Sequence, residues 1–219
     1  MDAKQKRVSI DNGDAGAGPG YQPLDRFNAF SDGVFAIVIT LLVLELPVPP
    51  EGAPVLPALA ESWSDFLGYA ISFAFVGGIW LSHAGLTKGM KRGDDVSFRL
   101  NLVMLLFVSL LPFTTKLMVA HIGGAEARSA VTVYGVNLLV ASLLLSGLLV
   151  YVARNGQLVI DGLADDRIRR AYHQRQVYLV LSALTILVGI VAPLVAVGFY
   201  VVLTVAFIIQ PLVQVRRGQ

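Results

Sequence analysis

The sequence predicts an all-α integral membrane protein with six transmembrane helices, and three observations carry that prediction. First, 55% of the 219 residues are hydrophobic and only 15% are charged, whereas a soluble domain carries about 25% charged residues. Second, apolar segments recur near the length of about 20 residues that a helix needs to cross about 30 Å of hydrocarbon. Third, fifteen of the 17 Lys and Arg residues fall on one side when six spans are drawn through the chain. Basic residues collect on the cytoplasmic side, so both termini are expected in the cytoplasm.

Each element follows in order. Residues 1–22 are polar and Gly-rich, with Lys4, Lys6 and Arg7 and no apolar core of a signal peptide. They are expected to form a disordered cytoplasmic tail. A six-helix transmembrane domain is expected over residues 23–215. Its first helix spans 25–46 and stops at Pro47, Pro49 and Pro50, because proline cannot continue a helix. An acidic loop with Pro54 and Pro57 leads to a second helix over 64–86. There Ala70, Ala74, Gly78 and Ser82 form a small-residue stripe that would let a neighbouring helix approach. The third helix, 96–119, contains Pro112, and the fourth runs over 127–152. A basic loop with Arg154, Arg167, Arg169, Arg170 and Arg175 follows. The last apolar stretch is too long for one span, and Pro193 divides it into helices over 174–191 and 194–212. The division also keeps Arg216 and Arg217 on the basic side.

Polar residues inside the spans are few. Asp32 lies in the first helix, His83 near the end of the second and Asn101 near the start of the third. Alternating helix directions bring all three to one shallow layer, where they can satisfy one another. Trp80, one turn from His83, can reach the same layer with its indole N–H. The layer reads either as a network that locks helices together or as a proton or ion relay. Opposite it lies an apolar stripe. At about 100° per residue, Ile37, Leu41 and Leu44 fall within roughly 60° of one another, and Asp32 points roughly 140° away from Ile37. Phe30 and Gly33 extend the stripe, and Thr40 sits on its edge. The stripe faces either lipid or a symmetric axis, where it would form a hydrophobic constriction.

Several function classes are excluded or weakened. A net charge of +2 provides no electrostatic footprint for nucleic acid. The chain has no Cys, hence no disulfide and no thiolate metal site. No catalytic or nucleotide-binding motif appears, and no nucleophile or metal-ligand set accompanies Asp32 and His83. No enzyme, catalytic residue, cofactor or resident metal is expected.

The segment Arg26-x-x-x-Phe30-Ser31-Asp32, in the first span, resembles the signature of the endosomal and lysosomal potassium channel family called transmembrane protein 175. The run Phe30 to Ile37, followed by Thr40 to Glu45, is similar to its bacterial branch. Gly77-x-x-Trp80-x-x-His83 and Leu111-Pro112-Phe113-Thr114-Thr115 extend the resemblance over about residues 25 to 120. It implies a potassium-favouring cation channel of the plasma membrane, conducting passively and without a carbonyl selectivity filter. The pore would be lined by the first helix at the axis of a homotetramer, because this chain holds a single six-span repeat. Carried over, Ile37, Leu41 and Leu44 form the constriction and Thr40 a polar ring. Arg26, Phe30, Ser31, Asp32, Trp80, His83 and Asn101 form the network around the first helix. The partners implied are potassium ions in transit, the lipid bilayer and further copies of the chain. The alternative is a proton-linked carrier in which Asp32 and His83 titrate.

Overall fold

The computed structural model describes the backbone of residues 21–160 and 165–216, and the side chains of residues 23–160 and 176–206. Residues 1–20, Arg217 and the side chains of Arg167, Arg169, Arg170, Arg175 and Arg216 lie outside the described residues. Helices dominate, as an apolar environment demands of a backbone that must satisfy its own hydrogen bonds. The order is β1 (Tyr21–Gln22), α1 (Leu24–Leu44), α2 (Val55–Glu61), α3 (Trp63–Thr87), β2 (Gly93–Asp94), α4 (Asp95–Ser109), α5 (Leu111–His121), α6 (Ala127–Arg154), α7 (Asp165–Val191) and α8 (Pro193–Arg216).

Among the described residues, four segments are long and apolar enough to cross a membrane: α1, α3, α4 with α5, and α6. Two shorter apolar helices, Gln176–Val191 and Pro193–Ala206, follow within the described residues. Only Ala192 separates α7 from α8, the division expected at Pro193. The third predicted span is not one continuous helix. Pro112 has no N–H to offer the carbonyl one turn earlier, so α4 ends at Ser109 and α5 begins at Leu111. The predicted loop after α1 contains the short helix α2, with Pro57 in its first turn, where a missing N–H costs nothing.

Two apolar clusters hold the bundle. The larger includes Phe35, Val38 and Leu42 of α1, Phe75 and Ile79 of α3, Met104 and Val108 of α4, Tyr134 and Leu145 of α6, and Tyr200 of α8. Burying apolar groups against apolar groups gains little inside a bilayer, so close packing and interhelical hydrogen bonds must supply the specificity. Both are present. Ser72 Oγ shares hydrogen bonds with Thr115 Oγ1 at 2.7 Å and the Tyr134 hydroxyl at 3.0 Å, joining α3, α5 and α6. Asn137 Nδ2 donates to Thr114 Oγ1 at 3.2 Å. Close approach occurs at Gly68, where a Cβ would stand 2.5 Å from Val119 Cγ2. The small-residue stripe expected to carry such contact does so only in part: Gly78 is buried, whereas Ala70 is exposed.

The smaller cluster closes one end of the bundle, called here the β end. Phe27, Met90, Leu148, Val152 and Leu158 form it. Above it β1 pairs antiparallel with β2, Tyr21 opposite Asp94 and Gln22 opposite Gly93. Tyr21 and Gln22 thus leave the expected disordered tail and join the fold, because their backbone groups find partners in the α3–α4 connection. Asp94 then caps α4, accepting from the Ser97 N–H at 2.9 Å, and its second carboxylate oxygen accepts from the Tyr151 hydroxyl of α6.

Burial pushes the Asp94 carboxyl up, but the hydrogen bonds from Tyr151 and Ser97 outweigh it, and the group lies below its ordinary value of 3.8. A depressed carboxylate stabilises the fold above the unfolded value, and that contribution fades as pH falls through the folded value. The destabilisation caused by Asp94→Asn should therefore be full at neutral pH and shrink as the pH drops below 3.8. Thermal unfolding in detergent at a series of pH values checks this. A wild-type-to-variant gap that stays constant down to about pH 3, below the ordinary carboxylate range, would contradict it.

Candidate functional site

The site is built on α1, whose two faces differ. Phe27, Ser31, Phe35, Val38 and Leu42 are buried and repeat at the spacing of one helical face. Ile37 is 59% exposed, Leu41 42% and Leu44 76%. The α1 helix is also the least enclosed of the four long segments: 28% of its most apolar stretch is buried, against 44% in each of the others.

A continuous hydrogen-bond chain fixes the buried face. His83 Nε2 pairs with Asn101 Oδ1 at 3.0 Å. Asn101 Nδ2 donates to Ser31 Oγ at 2.9 Å, and Ser31 Oγ donates to the Phe27 carbonyl at 2.8 Å. The chain links α3, α4 and α1, and its three side chains are at most 2% exposed. The rings of Phe27 and Phe35 flank the imidazole, with centroids 5.5 and 5.8 Å away.

Asp32 is not part of this chain, contrary to the expectation of a mutually satisfied Asp, His and Asn. It is exposed, and its Oδ1 accepts from Trp80 Nε1 at 2.8 Å. No hydrogen bond joins it to His83 among the described residues. The physical reason is desolvation. A hydroxyl and an amide can be buried with two or three hydrogen bonds, whereas a carboxylate buried with one donor is costly. Consecutive residues are about 100° apart on a helix, so Ser31 turns inward and Asp32 turns out. Arg26 and Phe30 are also exposed. Of the expected network, the structure brings together Ser31, His83 and Asn101, and separately Asp32 and Trp80.

The far end of α1 is held as well. Lys116 of α5 donates to the Glu45 carbonyl at 2.8 Å, and its ammonium lies 4.0 Å from Asp65. It thereby places positive charge at the negative end of the α1 dipole. Phe27, Phe35 and Lys116 were not singled out by the sequence as site residues. For the two Phe the available signal was their helical spacing with Ser31. For Lys116 it was its isolation on the side of the chain poor in basic residues. Thr40 is exposed, and its hydroxyl proton is committed to the Ile37 carbonyl at 2.8 Å. Its oxygen lone pairs are left to face outward. No group of three or more His, Asp or Glu suited to a metal ion occurs among the described residues.

Residues 26–112 match the family described as endosomal/lysosomal potassium channel TMEM175. A potassium channel of Chryseobacterium sp. is 30% identical over 194 residues, which cover 84% of this chain and 92% of that protein. The chain belongs to the TMEM175 family. A potassium channel of Chamaesiphon minutus is 38% identical over 113 residues, 50% of this chain and 56% of the relative. The chain thus spans little more than half the length of that relative. The crystal structure of a lysosomal potassium-selective channel TMEM175 homologue from Chamaesiphon minutus superposes with a TM-score of 0.76 at 28% identity, covering 84% of this chain and 96% of that one. A bovine relative, 41% identical over 42% of this chain and 22% of its own length, is named an endosomal/lysosomal proton channel. The relatives are ion channels, and with its apolar helices this TMEM175 family member is a membrane protein. The matched segment contains the whole of the stripe and both polar clusters of α1.

The two clusters should respond differently to substitution. Asn101→Leu leaves His83 Nε2 unpaired in a dry layer, removes the donor to Ser31 Oγ, and should cost about 1–3 kcal/mol. Asp32→Asn keeps an acceptor for Trp80 at an exposed position and should stay within about 0.5 kcal/mol. Thermal unfolding of the purified variants compares them, and equal losses would contradict the division into an inner and an outer cluster.

Proposed function

We propose that four copies of this chain form a cation channel that favours potassium, with α1 lining the axis. Potassium passes down its gradient through rings of Ile37, Leu41 and Leu44, with the Thr40 hydroxyls as a polar ring beside them. In this reading all six helical segments span the plasma membrane, both termini are cytoplasmic, and the β end is the cytoplasmic end. The observation that carries the reading is the orientation of α1. Its polar chain turns inward and its bulky apolar stripe remains uncovered on the protomer.

Two further features support an axis over lipid. Asp32 and the half-exposed Trp80 lie within an apolar run, and a carboxylate facing hydrocarbon costs several kcal/mol. A neighbouring subunit or an aqueous vestibule removes that cost. Thr40, with its proton already donated, can offer only lone pairs, which suits a cation. Apolar rings gate by dewetting and do not coordinate ions, so ion preference in this channel is modest and rests on Thr40 and on the vestibule potential. Glu45 at the outer mouth favours cations over anions. Cyclic symmetry is a natural way for identical copies to close such a pore.

Reconstituted in liposomes, the wild type should carry potassium flux with a reversal potential displaced toward potassium in a potassium/sodium gradient. Leu41→Ala should raise the flux by about tenfold, equivalent to about 1.4 kcal/mol off the barrier, and reduce the preference. Unchanged flux and unchanged preference in Leu41→Ala would remove the stripe from the constriction. Flux that saturates and moves protons in fixed proportion would instead favour a carrier.

A further inference from the structure

Between the last three turns of α6 and the adjoining part of α7 lies a cavity of about 650 Å³. That size lies within the range of about 300–1,000 Å³ typical of ligand sites. Its wall changes character along the helix. Leu143, Gly147 and Val150 line one part, and Arg154, Asn155 and Gln176 line the part nearest the β end. The apolar portion is open at Gly147, where a Cβ would meet nothing within 4 Å. Leu143 to Arg154 covers about 16 Å of helix. Arg154 is the last residue of α6 and is exposed, with no ion pair among the described residues. In the membrane reading proposed above, on which this inference rests, the end of a membrane-length helix lies at the level of lipid headgroups.

We infer that this groove holds one anionic phospholipid, with its phosphate on Arg154 and the start of an acyl chain along Leu143, Gly147 and Val150. The charge and the apolar wall point to the same occupant. A guanidinium matches a phosphate through two parallel hydrogen bonds, and Asn155 and Gln176 add polar groups beside it. A small soluble anion would use only this polar end and leave the apolar wall wet. A zwitterionic lipid would fill the wall but gain less from Arg154. Basic pockets between helices at the membrane surface recognise acidic headgroups by this combination. Tyr151 adds a mechanical link: it lines the cavity, and its hydroxyl donates to Asp94, the cap of α4. An occupant of the groove therefore bears on the clasp at the β end.

The test is native mass spectrometry of the full-length protein in detergent, with phosphatidylglycerol or phosphatidylcholine of matched chains added. The wild type should retain phosphatidylglycerol over phosphatidylcholine. Arg154→Gln should weaken that retention by about fivefold, the worth of one basic residue at a membrane surface. Arg154→Lys should restore part of it. Gly147→Leu, which fills the groove without touching the charge, should lower retention of both lipids. Size-exclusion profiles establish that each variant is folded, and Arg154→Gln, a surface change, serves if Gly147→Leu is not. Equal retention of the two lipids by the wild type would overturn the inference. So would unchanged retention in Arg154→Gln, or displacement of phosphatidylglycerol by an equal concentration of glycerol phosphate, which would mark a site for soluble phosphates. Absence of any lipid adduct, as when a second copy covers the groove, would overturn it as well.

Discussion

The hydrogen-bond chain from His83 through Asn101 to Ser31 and the Phe27 carbonyl is the constraint on which the arrangement of α1 depends. In a bilayer the apolar faces of a helix are nearly interchangeable, since lipid and protein offer similar apolar surroundings. An amphipathic pattern alone cannot then set the rotation of a span. A polar side chain that must meet a particular partner can. Ser31 has its partner on α4 and Asn101 has its second partner on α3, so a rotation of α1 by one residue would break the chain and leave buried polar groups unpaired. Aromatic packing of Phe27 and Phe35 against His83 holds the same orientation. At the far end, Lys116 ties the α1 terminus to α5.

With rotation fixed, the front of the helix is a consequence. Ile37, Leu41 and Leu44 remain exposed because Phe35, Val38 and Leu42 have taken the core. Asp32 faces outward beside Trp80 for the same reason. The chain therefore presents both an apolar stripe and a carboxylate to its surroundings, a combination that lipid alone accommodates poorly and that the proposed neighbouring copies around a wet axis would accommodate well.

Much of this was legible in the sequence, because membrane thickness and backbone hydrogen bonding leave few choices. The long apolar segments, the break at Pro193, the shared layer of His83 and Asn101 and the opposed stripe all follow from length, spacing and helical angle. Other features were not. Charge drew attention to Asp32 as the buried anchor, whereas burial favours its neutral neighbour Ser31, and a difference of one residue is below what depth alone resolves. The close approach at Gly68 depends on Val119 lying opposite, a tertiary fact that a stripe of small residues does not encode. The β1–β2 pair is two residues long on each side, too short for any period to register. The break between α4 and α5 is signalled by Pro112, but whether a proline interrupts a span depends on the neighbours that satisfy the freed carbonyl.

The central claim is that the Ile37–Leu41–Leu44 stripe faces its own copies across an axis. The chain contains no cysteine, so a single Leu41→Cys substitution reports without background. A disulfide forms only when Cα atoms come within about 7 Å. Oxidation of Leu41→Cys in membranes should yield covalent dimers, whereas cysteine at Leu106, on the exposed side of α4, should yield none. Dimers from Leu106→Cys and none from Leu41→Cys would place the stripe against lipid and contradict the account.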